Sequence, residues 1–538
     1  MRKVDVLIEF ESDNSVHFEQ SSAALSCYEE RSKVADKLLK SMSGLGLDYD
    51  IEVAPTALFD DGDYSGFEIP EVTESAPQGG SWVLPAKIDA TKIDDCEQKT
   101  GVHQVWPCSK MTYFGRHGCG CGGSGQQTSG VQVASALEGA YPVAMGRDVP
   151  DPMGRDVPDP MGRDVIDPMS AMPPQLSAAL MAWLNSHVRN PSSSMAAVLD
   201  RARTGSSAAD CAFTTVATID QIRALLGVER IWFEGFRGQN VVVGILDEGV
   251  NGRVYPVIGG HDSPNGPAPG SASITSHGSM CAADILVAAP QAKLLDYPFL
   301  GVPNSGGAIA MFQAVLEQRR QNGTPHLTNN SYGFTGITPD PRHEMNDANH
   351  PIHRKVREVI RSGAACFFAA GNCGNPCPSG NCHSSGIGPG NSIQASNALE
   401  EVITVAAVNA ANVRIGYSAQ GPSHAHQNGF DKCKPDVSAY SHFFGNFGTG
   451  RPGGTSQPFD NGTSAACPVA AGVGALLLSV DPALTPAELK GALIQSAVDI
   501  GRPGYDFETG HGVINAAAAF RLIEWTDRAD LVVPPTDC

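Results

Sequence analysis

At 538 residues, the chain is long enough for two or three domains of roughly 100–200 residues each. Its 41% hydrophobic and 17% charged residues are ordinary proportions for a globular protein with a sizeable core. The formal net charge of −20 argues against nucleic acids and anionic membranes as partners.

The same sequence predicts a cellular location. Residues 1–10 are too short and too interrupted by charges to form the apolar part of a signal peptide. No later stretch reaches the roughly 18 apolar residues of a membrane span. We therefore expect a cytoplasmic protein that is not in a membrane, with unconventional export as the alternative.

Residues 1–113 have the pattern of a small first domain. Strand-like alternation and helical spacing follow one another, with strands at 4–10, 49–53 and 101–107, helices at 28–42 and 88–99, and a loop at 62–80. Two helices placed between short strands are typical of a ferredoxin-like α+β unit.

Residues 114–169 have the composition of a linker. A Gly/Ser-rich stretch is followed by an octapeptide that begins at Met145 and is repeated from Met153 and Met161. Regular prolines and few apolar residues favour an extended spacer, and a ligand for some partner is the alternative. Amphipathic spacing then predicts a helical connecting segment at 170–211, which packs against either neighbouring domain.

Residues 212–525 contain four motifs that present reactive side chains at the ends of apolar segments: Asp247 after the strand 241–246, His277 at the start of a small-residue helix, Asn372 after the strand 366–370, and Ser464 before the apolar helix that follows residue 464. A helix start gathers unpaired N–H groups and the positive end of the macrodipole, which suits a serine that develops negative charge. A serine nucleophile also needs a base, an orienting group for that base and an oxyanion hole.

The alternation of strands and helices between residues 241 and 408 predicts an α/β domain, a parallel sheet with helices on both faces. Functional groups of such sheets gather beyond the carboxyl ends of the strands. Asp247, Ser331 and Asn372 all stand at such ends.

In the order Asp, His, Ser, these motifs resemble the subtilisin-like serine proteases (peptidase S8). Segments 290–294, 329–333, 434–437 and 510–516 are similar to further signatures of that family. The resemblance implies an endopeptidase with these roles: Ser464 as nucleophile, His277 as general base, Asp247 as its orienter, Asn372 with the Ser464 N–H as oxyanion hole, and Ser331, Tyr332 and Gly333 as the substrate-binding strand.

The resemblance also bears on partners and cofactors. Residues 1–113 resemble the family's inhibitory propeptide, so the expected partners are a protein or peptide substrate and the chain's own N-terminal domain. No cofactor and no metal ligand is predicted; calcium is an option by resemblance, but no ligand loop is clear enough to name. Two other functions stay open: a catalytically silent binding module, and an esterase or amidase with the same triad.

Glu248 departs from the family pattern. The family usually has Ser or Thr after its aspartate, whereas Glu248 adds negative charge close to the base. This charge is expected to alter the pH dependence without removing a catalytic group.

The cysteines allow several interpretations. Cys373, Cys377 and Cys382 lie with His383 in the loop after Asn372, and zinc ligands, a disulfide or free thiols each explain them. Their spacing fits no standard zinc signature, so no tightly bound zinc is expected. The cysteines of the two catalytic helices, at 281 and 467, are expected to be small buried hydrophobes, and a short tail at 526–538 ends the chain.

Overall fold

The computed structural model describes residues 3–11, 42, 44–45, 47–48, 56–59, 80–99, 101–113, 209–262, 266–299, 303–447, 458–532 and 538. These residues belong to one compact unit. The strand predicted at 49–53, the linker and the repeats lie outside the described residues. So do the helix predicted at 28–42, except for residue 42, and the connecting segment 170–211, except for residues 209–211.

A small antiparallel sheet forms the N-terminal part, as the sequence predicted. Its strands are β1 (Lys3–Glu11), β2 (Thr56–Phe59), β3 (Gly80–Asp89) and β4 (Val102–Pro107), in the order β2-β3-β1-β4. A 3₁₀ turn at Ala90–Lys92 and the short helix α1 (Ile93–Glu97) connect β3 to β4. Successive residues of β1 point to opposite faces of the sheet, and both faces are buried. Val6 and Ile8 belong to the core of this small domain, and Leu7 belongs to a core shared with the larger domain.

One prediction for this region was wrong. Residues 80–89 form a strand, and the helix predicted at 88–99 is confined to residues 93–97 because Ile88 and Asp89 end that strand. The Asp89 side chain accepts a hydrogen bond from the Thr91 N–H at 3.1 Å, so the helical turn starts only after Asp89.

The larger domain is built on a parallel sheet of seven strands, in the order β13-β12-β11-β9-β6-β8-β7. Its strands are β6 (Val242–Asp247), β7 (Val257–Gly260), β8 (Lys293–Pro298), β9 (Leu327–Asn330), β11 (Ala365–Ala369), β12 (Ile403–Val408) and β13 (Val437–Tyr440). The two strands that the sequence pattern missed, β7 and β13, are four residues each and lie at the two edges. The predicted α/β architecture is confirmed.

Helices cover both faces of this sheet, and each face has its own apolar core. The helices are α2 (Ile219–Leu226), α3 (Val228–Phe233), α4 (His277–Ala288), α5 (Ser305–Asn322), α6 (Pro351–Arg361), α7 (Thr463–Val480), α8 (Pro486–Gln495) and α9 (Ala516–Trp525). Two short strands, β5 (Thr112–Tyr113) and β10 (Tyr332–Gly333), pair antiparallel apart from the main sheet.

The helix α7 runs through the core against α4. A Cβ atom added at Gly472 would lie 2.3 Å from the carbonyl oxygen of Ile285, so only glycine permits this approach. Contrary to the expectation that no stretch reaches this limit of a membrane span, α7 has the required length and composition, with 18 residues and a mean hydropathy of 1.7, but 89% of it is buried inside the domain. Its apolar surface is therefore accounted for by the protein core.

A buried polar network joins the N-terminal sheet to α6. Glu9, which is 1% exposed, forms an ion pair with Arg354 at 2.5 Å and accepts a hydrogen bond from Trp106 Nε1 at 2.8 Å. The Ser81 hydroxyl also donates to Glu9. Burial raises the pKa of Glu9, but the Ser81 hydrogen bond and the Arg354 guanidinium outweigh it and hold the pKa below its ordinary 4.5.

We predict that Arg354→Ala lowers the free energy of unfolding by about 2–4 kcal/mol at neutral pH, because Glu9 keeps its other hydrogen bonds but loses its cation. Because the folded-state pKa of Glu9 is depressed, its stabilising contribution is present above the unfolded value of 4.5 and is lost as the pH falls through the lower folded value. The difference between wild type and variant should therefore shrink below pH 4.5. Urea titrations at several pH values measure both effects.

Arg357→Ala is the matched control on the same helix. Arg357 pairs with Glu401, whose side chain is 38% exposed, so its loss is expected to cost about 1 kcal/mol or less. Equal losses in the two variants, or a difference that persists undiminished in acid, would contradict the role given to Glu9.

Candidate active site

Asp247 ends the central strand β6 and is fully buried. Its two carboxylate oxygens lie 2.9 and 3.0 Å from Nδ1 of His277, and its Oδ1 also accepts a hydrogen bond from the Glu248 N–H at 2.7 Å. Because an ionised carboxylate can only accept, this contact assigns the proton to Nδ1 of the imidazole. The other ring nitrogen, Nε2, is then the basic one.

His277 is the first residue of α4, and two side chains hold this helix start. Ser276 caps the helix by accepting from the Ser279 N–H at 3.1 Å. Glu248 accepts from the backbone N–H of His277 at 2.5 Å. The departure from the family pattern at Glu248 is thus a structural contact at a helix N-terminus, where negative charge is favourable.

Ser464 is the second residue of α7, directly after Gly462 and Thr463. The N-cap Gly462 has φ of 83°, a left-handed value that favours glycine and turns the chain sharply into the helix. The hydroxyl of Ser464 donates to the carbonyl oxygen of Ser331 at 3.2 Å. Its backbone N–H is one of the helix's first four, which have no partner within the helix.

The thiol of Cys281 lies among these three residues. Its Sγ is 3.7 Å from Asp247 Oδ2, 3.9 Å from His277 Nδ1 and 3.6 Å from the Ser464 carbonyl oxygen. Burial, together with the nearby Asp247 carboxylate, raises the pKa of this thiol well above its usual value. Cys281 is therefore a neutral packing residue, as predicted, and the equally buried Cys467 also has a raised pKa.

Asn372 lies at the end of β11 and faces the start of α7. Its side-chain oxygen accepts from both the N–H and the hydroxyl of Thr463, each at 2.9 Å. These two contacts fix the orientation of the amide and direct its NH₂ group away from Thr463. The four residues predicted to act together, at 247, 277, 372 and 464, thus lie around the starts of α4 and α7.

The predicted substrate-binding residues begin at the nucleophile and lead away from it. The carbonyl of Ser331 contacts the Ser464 hydroxyl, and the next two residues, Tyr332 and Gly333, form β10. This strand already has an antiparallel partner in β5, with Tyr332 opposite Tyr113 and Gly333 opposite Thr112. No pattern in the sequence predicts this pairing, because it joins residues about 220 positions apart.

Comparisons with known proteins place these observations in a family. The family model described as "Subtilase family" (Peptidase_S8) matches residues 238–512, just over half of the chain. The chain belongs to the subtilase family.

Curated relatives agree with this assignment. Subtilisin DY of Bacillus licheniformis is 27% identical over 306 residues, which cover 55% of this chain and 96% of that protein. Subtilisin E of Bacillus subtilis (strain 168) is 28% identical over 298 residues, or 53% of this chain and 67% of that protein. The chain is accordingly a subtilisin-like serine endopeptidase, a hydrolase that acts on protein substrates.

A solved structure, the serine protease of Aeromonas sobria, matches 56% of this subtilase and 62% of its own chain, at 20% identity and a TM-score of 0.43. A likeness at this level adds nothing to the assignment from sequence.

The loop after Asn372 is closed by disulfides in this subtilase. Cys373 pairs with Cys382, and Cys377 pairs with Cys211 far upstream. Of the three alternatives left by the sequence, the structure has disulfides, so these sulfurs are not arranged as a zinc site. A third disulfide joins Cys433 to Cys538, the last residue, so the C-terminal tail is attached to the catalytic domain.

Metal-ligating side chains cluster twice within the described residues. One cluster is Asp247, His277 and Cys281, and the other is Cys108, Glu344 and His350. Neither is the all-oxygen set that calcium prefers.

We predict that alkylation without reduction leaves Cys373, Cys377 and Cys382 unlabelled, because they are disulfide-bonded. Peptide mapping by mass spectrometry should recover Cys373 linked to Cys382 and Cys211 linked to Cys377. Free labelling of this loop together with stoichiometric zinc bound to it would contradict the pairing.

Proposed function

We propose that Asp247, His277 and Ser464 form the catalytic triad of this endopeptidase, and that the chain is made as a self-inhibited precursor. The observation that carries the proposal is the two-oxygen contact of Asp247 with His277 Nδ1, at 2.9 and 3.0 Å, next to a serine at a helix start. This contact fixes the tautomer and the orientation of the imidazole, which is the function of the carboxylate in a catalytic triad.

The roles follow from the hydrogen-bond directions. With its Nδ1 proton held by Asp247, His277 accepts the Ser464 proton at Nε2 as Ser464 Oγ bonds to the substrate carbonyl carbon. The imidazolium that forms is stabilised by the Asp247 carboxylate. His277 then donates that proton to the leaving amine, and water repeats the sequence to release the acyl group.

The Ser464 hydroxyl donates to the Ser331 carbonyl at 3.2 Å, and a hydrogen bond between a hydroxyl and a carbonyl is weak at this length. This contact therefore does little to hold the hydroxyl when His277 accepts its proton.

Asn372 and the first turn of α7 supply the oxyanion hole in this proposal. Thr463 occupies the side-chain oxygen of Asn372, which leaves the amide NH₂ as the donor. The Ser464 N–H adds a second donor, and the positive end of the α7 dipole favours the developing negative charge.

Residues 110–113 support the precursor part of the proposal. Thr112–Tyr113 pair with Tyr332–Gly333 on one side. On the other side, Lys110 forms a bridge with Asn304, and the Met111 N–H donates to the Pro303 carbonyl at 2.7 Å. A segment held between two backbone edges occupies the groove as an extended peptide substrate would.

The N-terminal sheet supplies the rest of the inhibitory domain. Its Leu7, Val83 and Trp106 share an apolar core with α5 and α6, and Glu9 pairs with Arg354 beneath the interface. Because these contacts are buried and extensive, the sheet holds residues 110–113 in the groove rather than leaving them to bind alone.

The alternatives are less well supported. An esterase or amidase does not require a strand that pairs with an extended backbone, as β10 does. A catalytically silent binding module does not require a carboxylate, an imidazole, a serine and an oxyanion donor at one site. An extended protein or peptide segment is therefore the proposed substrate.

The disulfides bear on location. Disulfides are rare in reducing compartments, and three of them tie down the catalytic domain here. Between the cytoplasmic location and the exported alternative named from the sequence, they favour an exported enzyme.

We predict that Ser464→Ala abolishes casein cleavage and self-processing, because no other group of the site can bond to the substrate carbonyl. The wild-type chain should shorten on incubation and show new N-termini between residues 114 and 212, while the variant stays full length. N-terminal sequencing of both preparations measures this.

Circular dichroism is the control, because loss of one oxygen at a helix start leaves the fold unchanged. Turnover of the variant within tenfold of wild type would reject Ser464 as nucleophile. A wild-type chain that is fully active yet uncut would reject the precursor and leave the triad standing.

We further predict that Asn372→Ala lowers kcat by about 10²–10³ with little change in KM, since an oxyanion donor acts on the transition state. Asn375→Ala is the control: the same residue type, three positions on in the same loop, but exposed. It should leave kcat within a factor of two or so of wild type. A loss confined to KM in Asn372→Ala would make Asn372 a substrate-binding residue instead.

A further inference from the structure

A second cluster of reactive side chains lies where the end of the N-terminal domain meets the catalytic domain. It consists of Cys108, which follows β4, and of Glu344 and His350, which precede α6. One ligand atom from each lies within 4.8 Å of the other two. None of the three takes part in the proposed peptidase chemistry.

His350 has the burial and the fixed orientation of a metal-binding imidazole. The side chain is fully buried, and its Nδ1 accepts from the Ile352 N–H at 3.4 Å, as a cap of α6. Its Nε2 has no hydrogen-bond partner among the described residues. The Trp106 ring packs against the imidazole edge to face, with centroids 5.3 Å apart, which fixes the plane of the ring.

Glu344 is equally buried, and its surroundings resemble the outer contacts of a metal-bound carboxylate. Its Oε1 accepts from the Ser109 N–H at 2.8 Å, and its Oε2 lies 2.7 Å from His343 Nδ1. Within the described residues, no Lys or Arg forms an ion pair with it. A cation at this point would offset the cost of burying the carboxylate.

Cys108 provides the third ligand and is the half-buried member of the cluster. Burial and the neighbouring Glu344 raise the pKa of its thiol well above the usual value, so the thiol is neutral in the absence of a cation. Burial, with the neighbouring His353 and His343, lowers the pKa of His350 well below its usual value, so His350 is the neutral imidazole that metals bind.

We propose that Cys108, Glu344 and His350 bind a zinc-type divalent ion across the interface between the N-terminal and catalytic domains. One sulfur, one oxygen and one imidazole nitrogen are the mixed set that Zn²⁺ accepts, with water as the fourth ligand. The Cys108 thiol loses its proton to solvent as the sulfur–metal bond forms. Tetrahedral ligands stand roughly 3.3–3.8 Å apart, and the three atoms already lie within 4.8 Å of one another, so they need to close by at most about 1.5 Å.

A metal ion bound by these residues holds the N-terminal and catalytic domains together. Cys108 comes from the domain that is removed, and Glu344 and His350 come from the domain that stays. Metal binding itself does not depend on the peptidase proposal, but its effect on latency rests on it. The bound ion should slow the departure of the N-terminal domain and so delay activation.

The test uses the untagged full-length chain with Ser464→Ala, which keeps the domains connected, and Co²⁺ as a spectroscopic substitute for Zn²⁺. One equivalent of Co²⁺ should produce a thiolate-to-cobalt charge-transfer band that Zn²⁺ abolishes. Cys108→Ser should lose the band, and Cys96→Ser, which removes a buried thiol of the same domain, should keep it. Absence of the band, its survival in Cys108→Ser, or its loss in Cys96→Ser would overturn the proposal.

If circular dichroism shows that Cys108→Ser does not fold, a second variant tests the site. His350→Asn retains a side-chain helix cap but loses the imidazole, and it should weaken Co²⁺ binding by at least tenfold; unchanged binding would overturn the site. With the wild-type serine, Zn²⁺ should slow self-processing several-fold in the parent but not in Cys108→Ser. A chain that binds Co²⁺ as predicted yet never processes itself would refute the precursor proposal and leave the metal site intact.

Discussion

The active site depends on how closely two helices can approach. Ser464 and His277, the proposed nucleophile and base, are the second residue of α7 and the first residue of α4, so these helices have to pack almost backbone to backbone. Gly472 permits it, since any side chain there would collide with the Ile285 carbonyl. The small thiol of Cys281 fills the space that remains between Asp247, His277 and the Ser464 carbonyl. A larger residue at either position would separate the reactive groups before it disturbed the rest of the sheet.

Much of this site could be predicted because its signals are local. Asp247 and Asn372 each follow an apolar run that can only be a buried strand, and His277 and Ser464 each open a run of small residues. The sequence therefore places each group at a strand end or a helix start, and parallel topology brings those ends to one edge. The geometry that makes them useful, such as Thr463 fixing the Asn372 amide, depends on distances that no spacing encodes.

What the sequence could not supply is pairing between distant segments. Trp82, Val83 and Leu84 are all buried, because successive residues of this strand face different cores. Such a run lacks the alternation of apolar and polar residues that marks a strand with one face in solvent. Cys211 and Cys377 meet across 166 positions, so a disulfide was only one of three possibilities for the loop after Asn372, and no local pattern pointed to Cys211 as a partner. The same holds for the Cys108, Glu344 and His350 cluster, whose members come from two domains.

In the proposed precursor, the position of residues 110–113 between Pro303–Asn304 and β10 determines how inhibition depends on concentration. While that precursor is continuous, the strand competes with substrate at an effective concentration set by the connecting residues 114–208, and such a value falls below the millimolar level of short tethers as the connection lengthens. Dilution does not change this value. Once the backbone is cut, the same strand becomes an ordinary second molecule, and its occupancy falls with dilution. In this proposal, cleavage of one peptide bond converts inhibition that does not depend on dilution into inhibition that weakens as the enzyme is diluted.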